Sequence, residues 1–253
     1  MGKTILVTND DGIFSKGLDS LVCVASNFGR VVVVAPDKPQ SGMGHAITIH
    51  NPLRLKKSQI FNKVEAYSCS GTPVDCVKLG VYEILKKKPD LILSGINHGE
   101  NSSTNVLYSG TMSAAIEGAM EGILSVGFSL CDYDPNADFT ASEEIAQIIL
   151  NKIFQDYFNH SFCLNVNIPN LSYNEIKGIK LCKQANAYWE DSFEKRKDQF
   201  GQDYFWLTGN FSNRDLREGT DLAALKEHYV SVVPTQFDLT AHNEIPILKF
   251  LEE

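Results

Sequence analysis

The sequence predicts an α/β fold: a doubly wound, mostly parallel sheet flanked by helices, followed by a C-terminal extension that contains hairpins. Three observations carry this. Short apolar runs recur up to about residue 170, among them Ile5-Leu6-Val7 and Val31-Val32-Val33-Val34. Runs without polar alternation suit strands covered on both faces. Segments with apolar residues at helical spacing separate those runs, the alternation expected of a parallel sheet. Beyond Pro169 the pattern changes to more aromatic residues and fewer clear helices.

The elements follow in order. A strand is expected over residues 4–8, closed by the turn Asn9-Asp10-Asp11-Gly12. Residues 16–28 carry Leu18, Leu21, Val22 and Ala25 at helical spacing, and residues 31–34 form the next strand. Strand, helix and strand in so short a span make a right-handed βαβ unit. Residues 36–44 hold Pro36, Pro39, Gly42 and Gly44 and read as a loop. Short strands are expected over 46–49 and 64–68. A helix over 73–87 opens on Pro73, where a first turn tolerates proline. Residues 91–94 read as a buried strand, 95–109 as a loop, 111–121 as a closely packed helix of small residues, and 124–130 as a strand. A long amphipathic helix over 141–158 and a strand over 162–166 complete a core of residues 1–170. The extension, residues 171–253, holds Trp189, Phe193, Tyr204, Phe205, Trp206 and a strand-like stretch over 229–233. It reads as hairpins used for subunit contact within a single domain.

Composition narrows the function. The chain of 253 residues, 43% hydrophobic, is long enough for one large domain with a sizeable core. Its net charge of -8 argues against general nucleic-acid binding, which needs surplus Lys and Arg. A small phosphate substrate stays open, because a bound cation reverses the sign of a site locally. The six cysteines form no C-x-x-C pair and read as reduced core residues. The opening apolar run is too short for a signal peptide and no stretch reaches membrane-span length, so the expectation is a cytoplasmic protein away from membranes.

In open α/β sheets ligands bind beyond the carboxyl ends of the strands. The first strand is followed there by Asn9, Asp10 and Asp11, and the second by Asp37, Gln40 and Ser41. The strand at 91–94 is followed by Asn97, His98, Glu100 and Asn101, and its loop runs on to Ser109-Gly110-Thr111 at a helix start. Asp10 and Asp11 are the sharpest feature, since adjacent carboxylates repel unless a cation or proton intervenes. Hard oxygen ligands without a His or Cys cluster favour Mg²⁺ or Mn²⁺. Alone, Asp-Asp-Gly is equally a turn with a capping Asp, and Ser109-Gly110-Thr111 reads as a plain cap before it reads as a phosphate site. The two further loops of oxygen ligands tip the balance. His98 is as well explained by a surface or core role as by substrate contact. A P-loop is excluded because Leu18 stands where Lys is required, and no G-x-S-x-G elbow or zinc-type His spacing is present.

These residues also carry a family pattern. Ile5-Leu6-Val7-Thr8-Asn9-Asp10-Asp11-Gly12, Ala35-Pro36-Asp37 with Gln40-Ser41-Gly42, and Ser70-Gly71-Thr72-Pro73 with Asp75-Cys76-Val77 resemble the SurE family of survival-protein nucleotidases. So do Ser94-Gly95-Ile96-Asn97-x-Gly99-x-Asn101, Tyr108-Ser109-Gly110-Thr111, and near the end Thr220-Asp221 and Tyr229-Val230-Ser231-Val232. The resemblance implies a Rossmann-like fold whose C-terminal extension helps build homodimers or homotetramers. It implies one divalent cation per subunit, Mg²⁺ or Mn²⁺, held by Asp10, Asp11, Ser41 and Asn97. It implies a phosphomonoesterase that cleaves nucleoside 5'-monophosphates, with 3'-monophosphates and short polyphosphate as further substrates. On this reading Asp10 and Asp11 are catalytic, and Asn9, Asn97, Ser109, Gly110 and Thr111 hold phosphate. Whether water or an Asp attacks stays open. The competing readings are a nucleotide- or metal-binding sensor without turnover and an interaction protein acting through its aromatic extension. The second loop, Ser41-Gly42-Met43-Gly44-His45, departs from the family's usual run of Ser and Ala.

Overall fold

The structure, a computed structural model, describes residues 2–155 and 161–252. Strand β1 (Thr4–Thr8) is buried at every position, and β2 (Arg30–Pro36) at all but its first. Between them α1 (Lys16–Ala25) starts at Ser15, whose side chain accepts from the Leu18 N–H, and buries Leu18, Leu21, Val22 and Ala25. The helix is shorter than its spacing suggests: residues 26–28 continue as turns.

Strand β3 (Leu55–Ser58) pairs antiparallel with β4 (Glu65–Cys69), and β4 pairs parallel with β2. The strand expected over 46–49 is absent. Side chains of the neighbouring helix start satisfy that segment instead. The Thr72 hydroxyl donates to the Ala46 carbonyl, and the Thr48 hydroxyl donates to Asp75. β3 was not anticipated, because Leu55-Lys56-Lys57-Ser58 has the exposed lysines of a sheet edge rather than an apolar pattern.

Helix α2 (Pro73–Leu79) opens with a reciprocal cap between Thr72 and Asp75. It passes into a wider π-helical coil over Gly80–Leu85 rather than continuing as one α-helix to residue 87. Strand β5 (Leu91–His98) runs past the expected loop start at Gly95, and its register against β6 (Ser125–Cys131) shifts between Ser94 and Asn97. Gly95 makes this irregularity possible. Its φ is +126°, and a Cβ would lie 2.3 Å from the Phe128 carbonyl oxygen. Helix α3 (Gly110–Met120) precedes β6. Helix α4 (Thr140–Gln155) precedes β7 (Cys163–Pro169), and the end expected for that helix, at residue 158, lies outside the described residues.

After β7 come β8 (Ile179–Leu181), β9 (Ala187–Lys197), β10 (Asp203–Asn213), α5 (Asp221–Lys226) and β11 (Val230–Thr235). The described residues form a nine-stranded sheet ordered β3-β4-β2-β1-β5-β6-β7-β11-β8. β4, β2, β1, β5, β6 and β7 run parallel, while β11 is antiparallel to β7. The chain builds outward from β1 to β2 and β4, then returns to place β5 on the other side of β1. The β1/β5 boundary is therefore the topological switch point, where such sheets leave a crevice.

Alternation along the strands sends neighbouring side chains to opposite faces. Ile5, Val7 and Val33 pack with Leu18, Leu21, Ile145 and Ile149 of α1 and α4. Leu6, Val32 and Val34 pack with Cys76, Val77 and Ala114 of α2 and α3. Both faces are thus closed. β9 and β10 form a separate two-stranded hairpin, with Trp189, Phe193, Phe205, Trp206 and Leu207 exposed. Among the described residues no helix is long and apolar enough to cross a membrane.

Candidate active site

The switch point gathers four segments. Thr8, the last residue of β1, lies opposite Ser94 of β5, so the stretches that follow both strands start side by side. The backbone N–H of His98 donates to Oδ2 of Asp11 at 3.2 Å, and the His98 ring Nδ1 lies 3.5 Å from the same oxygen. The Gln40 N–H donates to the Asp10 carbonyl at 2.8 Å, which brings the loop after β2 against the aspartates. The Thr111 hydroxyl, in the first turn of α3, donates to Oδ1 of Asp10.

Asp10 is almost fully buried, whereas Asp11 is partly exposed. Burial, reinforced by the charge of Asp11, raises the Asp10 carboxyl to about 6; hydrogen bonds from Thr111 pull the other way without cancelling it. No cationic side chain is among the groups that shift it. Gly110 is what lets α3 come so near, because a Cβ there would sit 2.6 Å from the Asp10 Cβ. The first N–H groups of an α-helix lack intrahelical partners, so the approach turns the positive end of α3 toward the carboxylates.

The other expected residues divide by what their polar atoms already do. Asn97 is buried, and its amide nitrogen donates to the Gly99 carbonyl at 2.8 Å. Its side-chain oxygen remains the group available to a cation. Ser41 is exposed, one residue beyond Gln40. Asn9 donates through its amide nitrogen to the Gly12 carbonyl and to Ser15 Oγ, which shapes the turn carrying the aspartates. Its Oδ1 is buried without a partner. The Ser109 hydroxyl accepts the Met112 N–H as the cap of α3. Asn101 is drawn away from the site into a buried network with Ser129, Asn165 and Asn167. His98, whose residue type suits a surface or core role as well as a substrate contact, is held against Asp11 by its backbone N–H and its ring. The His98 ring also meets Phe139 edge-on, with ring centroids 4.9 Å apart.

This donor set suits a hard divalent cation. Asp10 holds its proton more tightly than usual with no cationic side chain among the groups that shift it, and it stands next to Asp11 and the buried, unpartnered Asn9 oxygen. Among the described residues no group of three or more His, Cys, Asp or Glu is placed to bind a metal. A cation here would therefore take neutral oxygens beside Asp10 and Asp11.

Fold and site together define a class: doubly wound α/β proteins whose switch-point crevice pairs two aspartates with a helix N-terminus. Comparison with known proteins gives the family. The family described as Survival protein SurE matches residues 5–191. The 5'-nucleotidase SurE of Flavobacterium johnsoniae is 59% identical over 240 residues, covering 94% of this chain and 93% of that protein. The 5'-nucleotidase SurE of Cytophaga hutchinsonii is 54% identical over 254 residues, covering 98% of each. The crystal structure of the SurE protein from Aquifex aeolicus superposes with a TM-score of 0.85 at 41% identity, covering 99% of this chain and 100% of that one. The chain belongs to the SurE family.

Proposed function

We propose that the protein is a divalent-metal-dependent 5'-nucleotidase, hydrolysing nucleoside 5'-monophosphates to nucleoside and phosphate. The observation that carries this is the Asp10–Asp11 pair at the switch point, set against the N-terminus of α3 with no cationic side chain among the groups acting on Asp10. The high identity to proteins named 5'-nucleotidase SurE supports the same reading. Asp10, Asp11, Ser41 and the Asn97 oxygen would hold Mg²⁺ or Mn²⁺. When bound, the cation would polarise phosphorus and offset phosphate charge.

The protein's own groups do the rest. The Gly110 backbone N–H and the Ser109 hydroxyl would hold phosphate oxygens, in the manner of helix N-termini that bind phosphate, while the Thr111 N–H is turned to the Asp10 carboxylate. Thr111 also fixes the Asp10 carboxylate through its hydroxyl. Asn9 acts through the turn it braces. One of the two aspartates either takes a proton from the attacking water or attacks phosphorus itself. In both routes positioning and charge stabilisation supply most of the acceleration. We extend the substrate range to 3'-monophosphates and short polyphosphate, and assign the exposed rings of the β9–β10 hairpin to a homodimer or homotetramer contact.

The test is phosphate release from a panel of nucleoside monophosphates by metal-stripped protein, with and without Mn²⁺ or Mg²⁺. Release only with metal supports the proposal and ranks substrates. Nucleotide bound but returned unchanged under every metal would replace the enzyme with a sensor. Rapid-quench trapping of a phospho-aspartate would select direct attack over water.

A further inference from the structure

The loop that carries Ser41 has no regular structure from residue 41 to 50, yet it must hold a ligand oxygen in place. Its backbone is pinned on either side of Ser41. Before it, Gln40 N–H donates to the Asp10 carbonyl at 2.8 Å; after it, Gly44 N–H donates to the Tyr108 carbonyl at 3.1 Å. The next residue makes a contact of another kind. His45 Nε2 lies 2.9 Å from Oε2 of Glu117, whose other oxygen pairs with Lys78 of α2.

Glu117 is unusual in being a carboxylate buried on α3 with only 4% of its side chain exposed. Burial pushes its carboxyl up, but hydrogen bonds from His45 and Lys78 outweigh that and hold it below the usual range. A charged, fixed acceptor therefore faces the loop. Lys78 also ties Glu117 to α2, so helix α3, helix α2 and the loop meet at one carboxylate. Since α3 presents its N-terminus to Asp10, the same rigid helix sets both the phosphate end of the site and the seat of the Ser41 loop.

The geometry points to the His45–Glu117 pair as a positioning latch that holds the Ser41 loop in its cation-ligating arrangement, with Lys78 keeping Glu117 charged and oriented. The latch acts through Ser41 and touches neither substrate nor cation. It rests on the proposed metal site for its consequence, though not for its effect on the loop. His45 also stands in the stretch where this chain departs from the family's usual residues. The latch would supply by a side-chain contact what a different loop sequence must supply otherwise.

Two measurements on the full chain test it. The first is hydrogen exchange of residues 40–45 in metal-stripped protein. The second is Mn²⁺ affinity by titration, following the EPR signal of free Mn²⁺. His45→Ala should raise exchange of the loop while leaving α3 protected, and should weaken Mn²⁺ binding roughly fivefold. His45→Gln, whose amide can donate to Glu117, should recover most of both. Unchanged loop exchange in His45→Ala overturns the latch. So does unchanged Mn²⁺ affinity in His45→Ala when the wild type binds Mn²⁺. A wild type that fails to bind Mn²⁺ overturns the metal reading instead, and loop exchange then decides the latch alone.

Discussion

The Thr111 hydroxyl donates to Oδ1 of Asp10 across 101 positions of sequence. It is a bond between the first turn of α3 and the turn after β1, and it couples the helix end proposed to hold phosphate to the carboxylates. Thr111→Val removes the donor and leaves a buried carboxylate short of a partner, which raises the Asp10 carboxyl further above about 6. Protons compete with a cation for that carboxylate. Mn²⁺ affinity should therefore fall off at higher pH in Thr111→Val than in the wild type, with activity at pH 7 down about tenfold for a lost bond to a charged group. Thr111→Ser keeps the donor and should stay near wild type. Equal pH dependence in all three proteins would remove Thr111 from this role.

Asp10 makes the metal-free protein less stable as it ionises. Its folded-state value of about 6 exceeds its ordinary 3.8, so between those values the folded chain binds more protons than the unfolded one. Stability falls as pH rises through that window, by a sum on the order of 3 kcal/mol. Asp10→Asn, free of the charge, should be more stable than wild type by about 1–3 kcal/mol near pH 8 without metal. The advantage should shrink below the ordinary carboxyl range. Mn²⁺ should raise the unfolding temperature of the wild type alone, and the variant should lose phosphate release. Urea unfolding across pH measures the first effect; an Asn variant less stable at pH 8 contradicts it.

Gly110→Ala drives a methyl group to 2.6 Å from the Asp10 Cβ. Either α3 retreats or Asp10 turns. Stability should drop by about 1–3 kcal/mol, as for other overpacked sites. Mn²⁺ affinity should drop as well, since both relaxations move groups proposed to hold the cation or phosphate. A variant that keeps wild-type affinity and activity would show that the close approach has no functional part.

Asp221 is fully buried, and its carboxylate accepts the N–H groups of Ser103 at 2.8 Å, Ala185 at 2.9 Å and Leu222 at 2.8 Å. An amide at this position would face an N–H with an N–H. Asp221→Asn should cost about 2–4 kcal/mol in urea unfolding. It should also raise hydrogen exchange in both residues 103–105 and 185–187. A change confined to one of those segments would show that the carboxylate does not join them.

The mostly parallel, doubly wound sheet was legible because β1, β2 and β5 open as continuous apolar runs, and the polar residues that follow them were legible as one candidate cluster at the carboxyl ends. The course of β5 past Gly95 was hidden, since Gly95-Ile96-Asn97 has loop composition and its pairing depends on the backbone of Phe128, 33 residues on. The strand at Leu55–Ser58 was hidden by its lysines. The ends of the His45–Glu117 contact lie 72 residues apart and match no spacing rule, so only the packed helices reveal it. The partners that Asn9, Ser109 and Thr111 already hold, in the turn after β1, at the cap of α3 and on Asp10, were equally out of reach. Residue type gives their capacity to bond, and the fold decides where it is spent.

The hairpin formed by β9 and β10 is rooted in the loop that leads to the site. Ser103 Oγ donates to the carbonyls of Ala185 and Ala187, and Trp189 Nε1 donates to Asn105. For protein engineering this means that the parallel sheet cannot be excised as a minimal scaffold. Trimming the chain after β7 would strip β11 from an otherwise covered strand and remove the acceptors of the loop hydroxyls a few residues ahead of Ser109. Grafting should leave residues 103–109 and the hairpin root as one inherited unit, and vary only the hairpin's distal half.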